Sequence, residues 1–266
     1  MNSGRKDGAG GDARAEARVV FAAVKSAPVN GEPGLEEVSL SLPAGEICVA
    51  FGREGAGPSE LLRLAVGVTR PVGGSVRLLG VDLAGAGGSE LQRLRSRVGY
   101  VFRGTGLMSN LSLAENVELP LRYHTALDAH EAARRVDELV GLVGLGAVCG
   151  RRPADVDLLA RKRAAFARAL TLNPEVLLAD YPLEGLDPIA AARLAELLLQ
   201  AARSPGRACL IATCDVDSYR EVGDRFVMME GGRVIWTGGA GELATTDQPV
   251  VRQFLDHSVK GPLAAF

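Results

Sequence analysis

The segment 46–65 constrains the fold more than any other part of the chain. An apolar strand pattern at 46–51 leads into GREGAGPS at 52–59, and a leucine-rich helical pattern follows. This order of strand, glycine-rich turn and helix is the frame of a phosphate-binding loop, in which backbone N–H groups surround phosphates at a helix N-terminus. The lysine that should precede the hydroxyl residue is missing, because Pro58 stands directly before Ser59. Taken alone, such a turn is more often plain structure than a nucleotide site.

Strand and helix patterns alternate along the rest of the chain. Strands are predicted at 19–24, 35–42, 46–51, 75–79, 98–102, 176–180, 209–213, 225–229 and 233–237, and helices at about 155–172 and 188–203. A helical period also runs from about 111 to 145. Strands alternating with helices of this length predict an α/β fold with a mostly parallel sheet covered on both faces. The mainly helical stretch 111–172 predicts a separate lobe.

Charge, hydropathy and cysteine usage narrow the classes of function. The formal net charge of the 266 residues is -2, so no global field attracts nucleic acid. No apolar run approaches the roughly 18 residues of a membrane span, and the N-terminus has no apolar signal core. A cytoplasmic location is therefore expected, and any membrane role requires a partner. The cysteines lack metal-ligand spacing and are predicted to be reduced and partly buried: Cys48, Cys149, Cys209 and Cys214.

Three later motifs strengthen the interpretation of the glycine-rich turn. The apolar strand VLLAD at 176–180 ends in Asp180, a carboxylate in the position that acts on Mg²⁺ in phosphate-loop enzymes. GLDP at 185–188 follows this strand, and RKRAAFARAL at 161–170 precedes it. Together these segments resemble the ATPase subunits of ABC transporters, and the resemblance covers about residues 19–245.

The resemblance implies a P-loop NTPase core with an antiparallel β subdomain and a helical lobe at about 104–172. Residues 1–18 are rich in Gly, Ala and charge without an apolar period, and they predict a disordered tail. The ABC ATPase-like domain is predicted at 19–245 and a C-terminal extension at 246–266.

Two short stretches carry a narrower resemblance. LPLRYHT at 119–125 and VRQFLD at 251–256, with Gly261-Pro262 after it, are similar to the ATPase of Mla/MCE-type phospholipid transporters. This similarity implies a membrane permease partner and a peripheral location at the inner face of the cell membrane.

Nearly every position that the family uses for nucleotide chemistry is altered. The phosphate lysine is Pro58, the adenine-stacking aromatic is Ala27, the Q-loop glutamine is Arg103, the general base is Tyr181 and the switch histidine is Cys214. The signature sequence is replaced by Val156, Asp157, Leu158, Leu159 and Ala160. The residues that match are Gly52, Gly55, Gly57, Ser59, Asp180 and the D-loop Asp187. Ser59 and Asp180 would hold a metal only if Mg-nucleotide binds.

These changes predict a non-hydrolysing ABC ATPase homologue, in or beside an MCE-type lipid transport complex. Losing the lysine, one N–H donor and the aromatic stack removes about 3–5 kcal/mol of binding. That loss corresponds to roughly 10²–10⁴ in affinity for ATP and Mg²⁺, the cofactors that the family implies. Losing the general base costs roughly a further 10²–10⁴ in rate. Binding is therefore expected to be weak or absent.

Both halves of a family dimer would be affected. In ABC dimers each ATP lies between the P-loop of one subunit and the signature of the other. A homodimer and a heterodimer with an intact ABC ATPase both remain open, and in either Asp157 would repel the γ-phosphate. Asp157 is nevertheless a sound helix N-cap.

The sequence leaves two other functions open. The chain could be a working ABC ATPase in which Arg53, Arg103 or Arg161 replaces the lysine, or a stand-alone regulatory binding module. Glu54 and Glu60 could supply the site with its own anions, or both could face solvent.

The remaining conspicuous side chains predict structure rather than chemistry. Tyr181 and Trp236 are expected to pack in the protein interior, and the cluster 161–163 to form a solvated helix face. The three histidines are scattered along the sequence and predict no metal site: His124, His130 and His257.

Overall fold

A computed structural model of the chain describes residues 17–28, 31 and 33–263. Its strands are β1 (Ala17–Lys25), β2 (Val38–Pro43), β3 (Ile47–Phe51), β4 (Gly73–Leu78), β5 (Val81–Asp82), β6 (Val98–Val101), β7 (Val176–Asp180), β8 (Ala208–Thr213), β9 (Arg225–Glu230) and β10 (Arg233–Gly238). Its α-helices are α1 (Pro58–Ala65), α2 (Gly88–Arg95), α3 (Leu113–His124), α4 (Ala129–Leu142), α5 (Leu158–Leu170), α6 (Pro188–Ala202), α7 (Ala240–Thr245) and α8 (Pro249–Leu255).

The central sheet has the strand order β10-β9-β3-β8-β7-β6. From β9 to β6 every neighbouring pair is parallel, and β10 joins β9 in antiparallel orientation. Strands β3, β7 and β8 are buried along their whole length, as their continuous apolar runs predict for a parallel sheet covered on both faces. A second sheet, β2-β1-β4-β5, is antiparallel. The predicted α/β class is confirmed.

The helical period at 111–145 forms two helices rather than one. Ser112 caps α3 and Asp128 caps α4, each in a reciprocal capping box with the glutamate three residues later. Helices α3, α4 and α5 all lie within the predicted lobe at 104–172 and pack together around apolar side chains such as Val117, Val136 and Phe166.

The boundary predictions near the termini are matched only in part by the described residues. Strand β1 begins at Ala17, two residues before residue 19, where the ABC ATPase-like domain was predicted to begin. Most of the predicted tail 1–18 lies outside the described residues. In the predicted extension 246–266, α8 packs against the central sheet, where the Phe254 and Phe51 ring centroids are 5.4 Å apart. Among the residues that the structure describes, no helix is both long enough and apolar enough to cross a bilayer.

Candidate functional site

The glycine-rich loop lies at the carboxyl end of β3 and leads directly into α1. Gly57 is the N-cap with φ 119°, a left-handed conformation that favours glycine, and Pro58 is in the first helical turn. Proline suits this position sterically but has no N–H to donate to a bound anion. The prediction that Pro58 starts a helix after the loop is confirmed.

Packing or backbone conformation accounts for each loop glycine whether or not a phosphate binds. A Cβ atom on Gly52 would lie 2.3 Å from the Met229 carbonyl oxygen, and one on Gly57 would lie 3.0 Å from Leu35 and Met229 side-chain atoms. Gly55 also has a positive φ, 74°. The glycines alone therefore do not indicate that nucleotide binding is retained.

Ser59 and Asp180 meet as the family resemblance implies. The Ser59 hydroxyl donates a hydrogen bond of 2.6 Å to Asp180 Oδ1 at the end of the neighbouring strand β7. The predicted proximity of the two side chains is confirmed. Burial raises the pKa of Asp180, while the bond from Ser59 and the charge of Arg63 lower it less strongly.

Replacing Asp180 with asparagine is expected to raise the free energy of unfolding at pH 7. The raised pKa means that the folded state binds the proton more tightly than the unfolded chain. The free energy of unfolding therefore falls as the pH rises from the pKa of Asp180 in the unfolded chain through its raised pKa in the folded protein. Asparagine can still accept the bond from Ser59. The gain should shrink as the pH falls towards about 4, near the pKa of an unperturbed aspartate. Urea denaturation across this range measures it.

Asp137 on α4 is exposed and provides the matched control. Asp137→Asn should leave the unfolding midpoint nearly unchanged at both pH values. A loss of stability at pH 7 in Asp180→Asn would show that neighbouring cations more than offset the burial of the charge.

Arg103, at the Q-loop position, connects the loop to the segment after β7. Its guanidinium donates to Glu54 Oε1 and Oε2 at 2.5 and 3.0 Å, and its Nε donates to Glu184 Oε2 at 2.6 Å. It also lies over the Tyr181 ring, 4.4 Å from the centroid. Tyr181 is 4% exposed, as expected for a packing residue. Glu54 therefore pairs within the protein.

Lys162 corrects the prediction of a solvated helix face at 161–163. It is buried, and its ammonium donates to the Tyr181 carbonyl oxygen at 3.4 Å. Burial lowers the pKa of Lys162, and the nearby charge of Glu184 partly opposes this effect. Sequence reasoning missed this residue because the Arg-Lys-Arg run is typical of solvent exposure.

Glu60 does not face solvent either. It is buried in the first turn of α1 and accepts a 2.8 Å bond from Arg63 Nε. The alternative that Glu54 and Glu60 both face solvent is therefore wrong, because Glu60 is buried.

All three proposed lysine substitutes have partners within the protein. Arg53 pairs with Glu230, and Arg161 donates to the backbone carbonyls of Pro153 and Val156. Arg103 is paired with Glu54 itself.

The acidic residues of the two remaining motifs cap helices. Asp157 accepts from the Ala160 N–H at 2.7 Å at the start of α5, and Asp187 accepts from two N–H groups of α6 at 3.0 Å. The replaced signature also lies near the D-loop, since a Cβ on Gly185 would be 3.1 Å from Leu158 Cδ2. Among the signature positions, Val156 and Leu159 pack against the central core.

The side chains at 27 and 214 offer little to a nucleotide. Ala27 follows β1 and is exposed, without an aromatic ring to stack on adenine. Cys214 follows β8 and is an exposed free thiol, so it differs from the partly buried cysteine that was expected. Within residues 17–28, 31 and 33–263, no three His, Cys, Asp or Glu side chains form a metal-ligand group.

Mg-ATP therefore fits this site poorly. Ser59 and Asp180 have the hydroxyl and carboxylate that a magnesium ion prefers. The loop, however, has a carboxylate at Glu54 and lacks a donor at Pro58, where a polyphosphate needs positive charge and N–H groups. Arg103 already has two carboxylate partners.

Comparison with known proteins gives the family. A family model described as ABC transporter matches residues 35–184. The probable ribonucleotide transport ATP-binding protein mkl of Mycobacterium tuberculosis (strain ATCC 25618 / H37Rv) is 36% identical over 228 residues, or 86% of this chain and 64% of that protein. The methionine import ATP-binding protein MetN of Caulobacter vibrioides is 38% identical over 213 residues, or 80% and 64%. The chain belongs to the ABC transporter family. It spans 64% of the length of these two curated relatives.

Solved structures agree with this assignment. The dimeric ATP-binding cassette MJ0796, in a post-hydrolysis state bound to ADP and Pi, gives a TM-score of 0.77 at 28% identity, covering 84% of this chain and 98% of that chain. The structure of cbiO1 from Clostridium perfringens, part of the transporter complex cbiONQ, gives 0.76 at 24% identity over 91% and 96%. The second match supports the fold alone.

Proposed function

We propose that this chain is an ABC ATPase homologue that no longer hydrolyses ATP and that binds Mg-ATP weakly or not at all. The observation that carries the proposal is the pairing of Arg103 with Glu54. A residue at the Q-loop position holds a carboxylate of the glycine-rich loop, and an incoming polyphosphate would have to displace that carboxylate. Glu54 would then remain as an unpaired negative charge beside it.

The size of the lost contacts supports weak binding. The absent lysine, N–H and aromatic stack together account for about 3–5 kcal/mol, or roughly 10²–10⁴ in affinity. Tyr181 is a buried phenol whose pKa is raised by burial, so it does not replace a glutamate as general base at neutral pH.

The residues that match the family motifs also have structural roles. Gly52 is required by the Met229 carbonyl, Asp187 caps α6, and Ser59 and Asp180 bond to each other. These structural roles account for the presence of the four residues even if the protein does not bind a nucleotide. This supports a subunit that is retained for assembly.

The proposed assembly includes a membrane permease, at the inner face of the cell membrane. A cavity of about 480 Å³ lies between α1 and the end of β6, with Val68, Phe102 and Arg103 in its lining. Phe102 is 48% and Val68 is 65% exposed, which suits an apolar partner segment. The stretches 119–125 and 251–256 support an MCE-type lipid transport complex. Pairing is proposed with a second copy or with an intact ABC ATPase.

A working ATPase is the second candidate, and Arg103 is the observation that favours it. Arg103 is a cation beside the loop, and release from Glu54 would leave it free to contact a phosphate. This alternative predicts metal-dependent turnover, because Ser59 and Asp180 are both in place.

Purified protein with Mg-ATP is expected to show no ATPase activity above background. Calorimetric titration should give a dissociation constant in the millimolar range or weaker, about 10²–10⁴ above a micromolar reference. Asp180→Asn should change neither result, and an intact ABC ATPase in the same assay is the positive control. Turnover that Asp180→Asn abolishes would instead establish a working ATPase.

A further inference from the structure

Four charged side chains form a compact cluster beside the glycine-rich loop. Glu54 lies in the loop, Arg103 at the start of the helical lobe, Lys162 on α5, and Glu184 in the segment after β7. Arg103 forms a two-pronged pair with each carboxylate. Three segments that are distant in sequence are thus tied together through one guanidinium.

The cluster is electrically balanced without any ligand. It has two carboxylates and two cations, and hydrogen bonds from Arg103 lower the pKa of Glu184. The charge of Lys162 lowers it further, although less strongly. The planar fork of arginine suits such paired contacts better than a lysine would. The Tyr181 ring lies beneath the guanidinium and limits its orientations.

Because of the position of Arg103, these contacts restrain the point at which the chain enters the helical lobe. It lies two residues after β6 ends, where the chain leaves the central sheet for α3. On the other side of the lobe, α5 contacts the same segment through Lys162 and the Tyr181 carbonyl. The lobe is therefore attached to the segment after β7 from both its entry and its exit.

We propose that Glu54, Arg103, Lys162 and Glu184 form a clamp that fixes the helical lobe against the central sheet in the absence of nucleotide. The protein's own carboxylates supply the negative charge for this clamp. Because ion pairs hold the clamp together, its strength should fall as the ionic strength rises. The clamp does not depend on the loss of hydrolysis, since it concerns the nucleotide-free protein.

Hydrogen–deuterium exchange of the nucleotide-free full chain tests the clamp. Glu54→Gln and Glu184→Gln keep the side-chain shape but remove the charge. Each should speed exchange in segments 103–112 and 181–187 by roughly three- to tenfold, the effect of losing one partly exposed charged pair. Glu118→Gln is the matched control, because Glu118 pairs with Arg122 within α3 alone, at 2.6 Å.

Salt provides a second measurement on the unmodified chain. Raising ionic strength from about 0.1 to about 1 M shortens the screening length from about 10 to about 3 Å. Exchange in 103–112 should then rise towards that of Glu54→Gln. A variant that carries both Glu54→Gln and Glu184→Gln should respond little to salt. Unchanged exchange in Glu54→Gln, an equal rise in Glu118→Gln, or no salt response in the unmodified chain would each overturn the clamp. Measurable ATP turnover would overturn the proposed loss of hydrolysis, but it would not affect the exchange measurements that test the clamp.

Discussion

Replacing Pro58 with lysine is expected to tighten Mg-ATP binding by about 10- to 100-fold while hydrolysis stays at background. The substitution restores both an N–H donor and a positive charge at the start of α1, and charged hydrogen bonds to phosphate are the stronger kind. Pro58 already lies in the first helical turn, so lysine requires no backbone change there. The gain is smaller than the full estimated loss because Glu54 and Ala27 are unchanged. Calorimetric titration measures it.

Pro58→Ala is the control that separates the two contributions. It restores the N–H donor without the charge, so it should recover only a small part of the affinity. Robust ATPase activity in Pro58→Lys alone would contradict the inference that the loss is spread over both halves of a composite site.

Recovery of hydrolysis is expected only when the signature is rebuilt together with the catalytic positions. The triple variant Pro58→Lys, Tyr181→Glu and Cys214→His should remain near background as a homodimer. The reason is that Asp157 of each subunit would face the γ-phosphate bound by the other. The new glutamate at position 181 would also lie beneath Arg103, near Asp180 and Glu184, and its environment would differ from that of an ordinary general base.

The full variant adds Val156→Leu, Asp157→Ser, Leu158→Gly, Leu159→Gly and Ala160→Gln. Serine is also a good N-cap, so α5 should still begin at the same place. Turnover should rise by roughly 10²–10³ over the triple variant, because the new hydroxyl and glycine N–H groups would donate to the γ-phosphate that Asp157 would repel. Steady-state kinetics with a check of oligomeric state measures it. Asp180→Asn in the full variant must remove the activity, and full turnover by the triple variant would contradict the role given to the signature.

Local sequence was enough to predict the strand–loop–helix frame. Strands β3 and β7 are continuous apolar runs, and a glycine-rich turn follows the first of them, so their type and approximate bounds depend on short-range preferences. The meeting of Ser59 with Asp180 could be predicted because carboxyl ends of parallel strands lie at the same edge of a sheet. The family resemblance added which positions to compare.

The charged cluster could not be predicted in the same way. Glu54, Arg103 and Glu184 lie in loops widely separated along the chain, and each alone reads as a solvated charge. Lys162 was wrongly predicted to be solvated, and two alternatives remained open for Glu60. The reason is related, since the burial of each residue depends on what packs over it. The sequence shows that Arg103 replaces the Q-loop glutamine, but only the structure shows that its partners are charged residues of this chain.

The contact between Phe51 and Phe254 has a consequence for how the site forms during synthesis. Phe51 is the residue immediately before the glycine-rich loop, and its ring partner lies on α8. Their separation of 203 residues (254 minus 51) makes this one of the most non-local contacts in the described part of the chain. At about 5–20 residues per second, a ribosome needs roughly 10–40 s to add that much chain. The contact between Phe51 and Phe254 can therefore form only long after the residues of β3 have been synthesised. The packing at the end of β3, where the glycine-rich loop begins, is completed late.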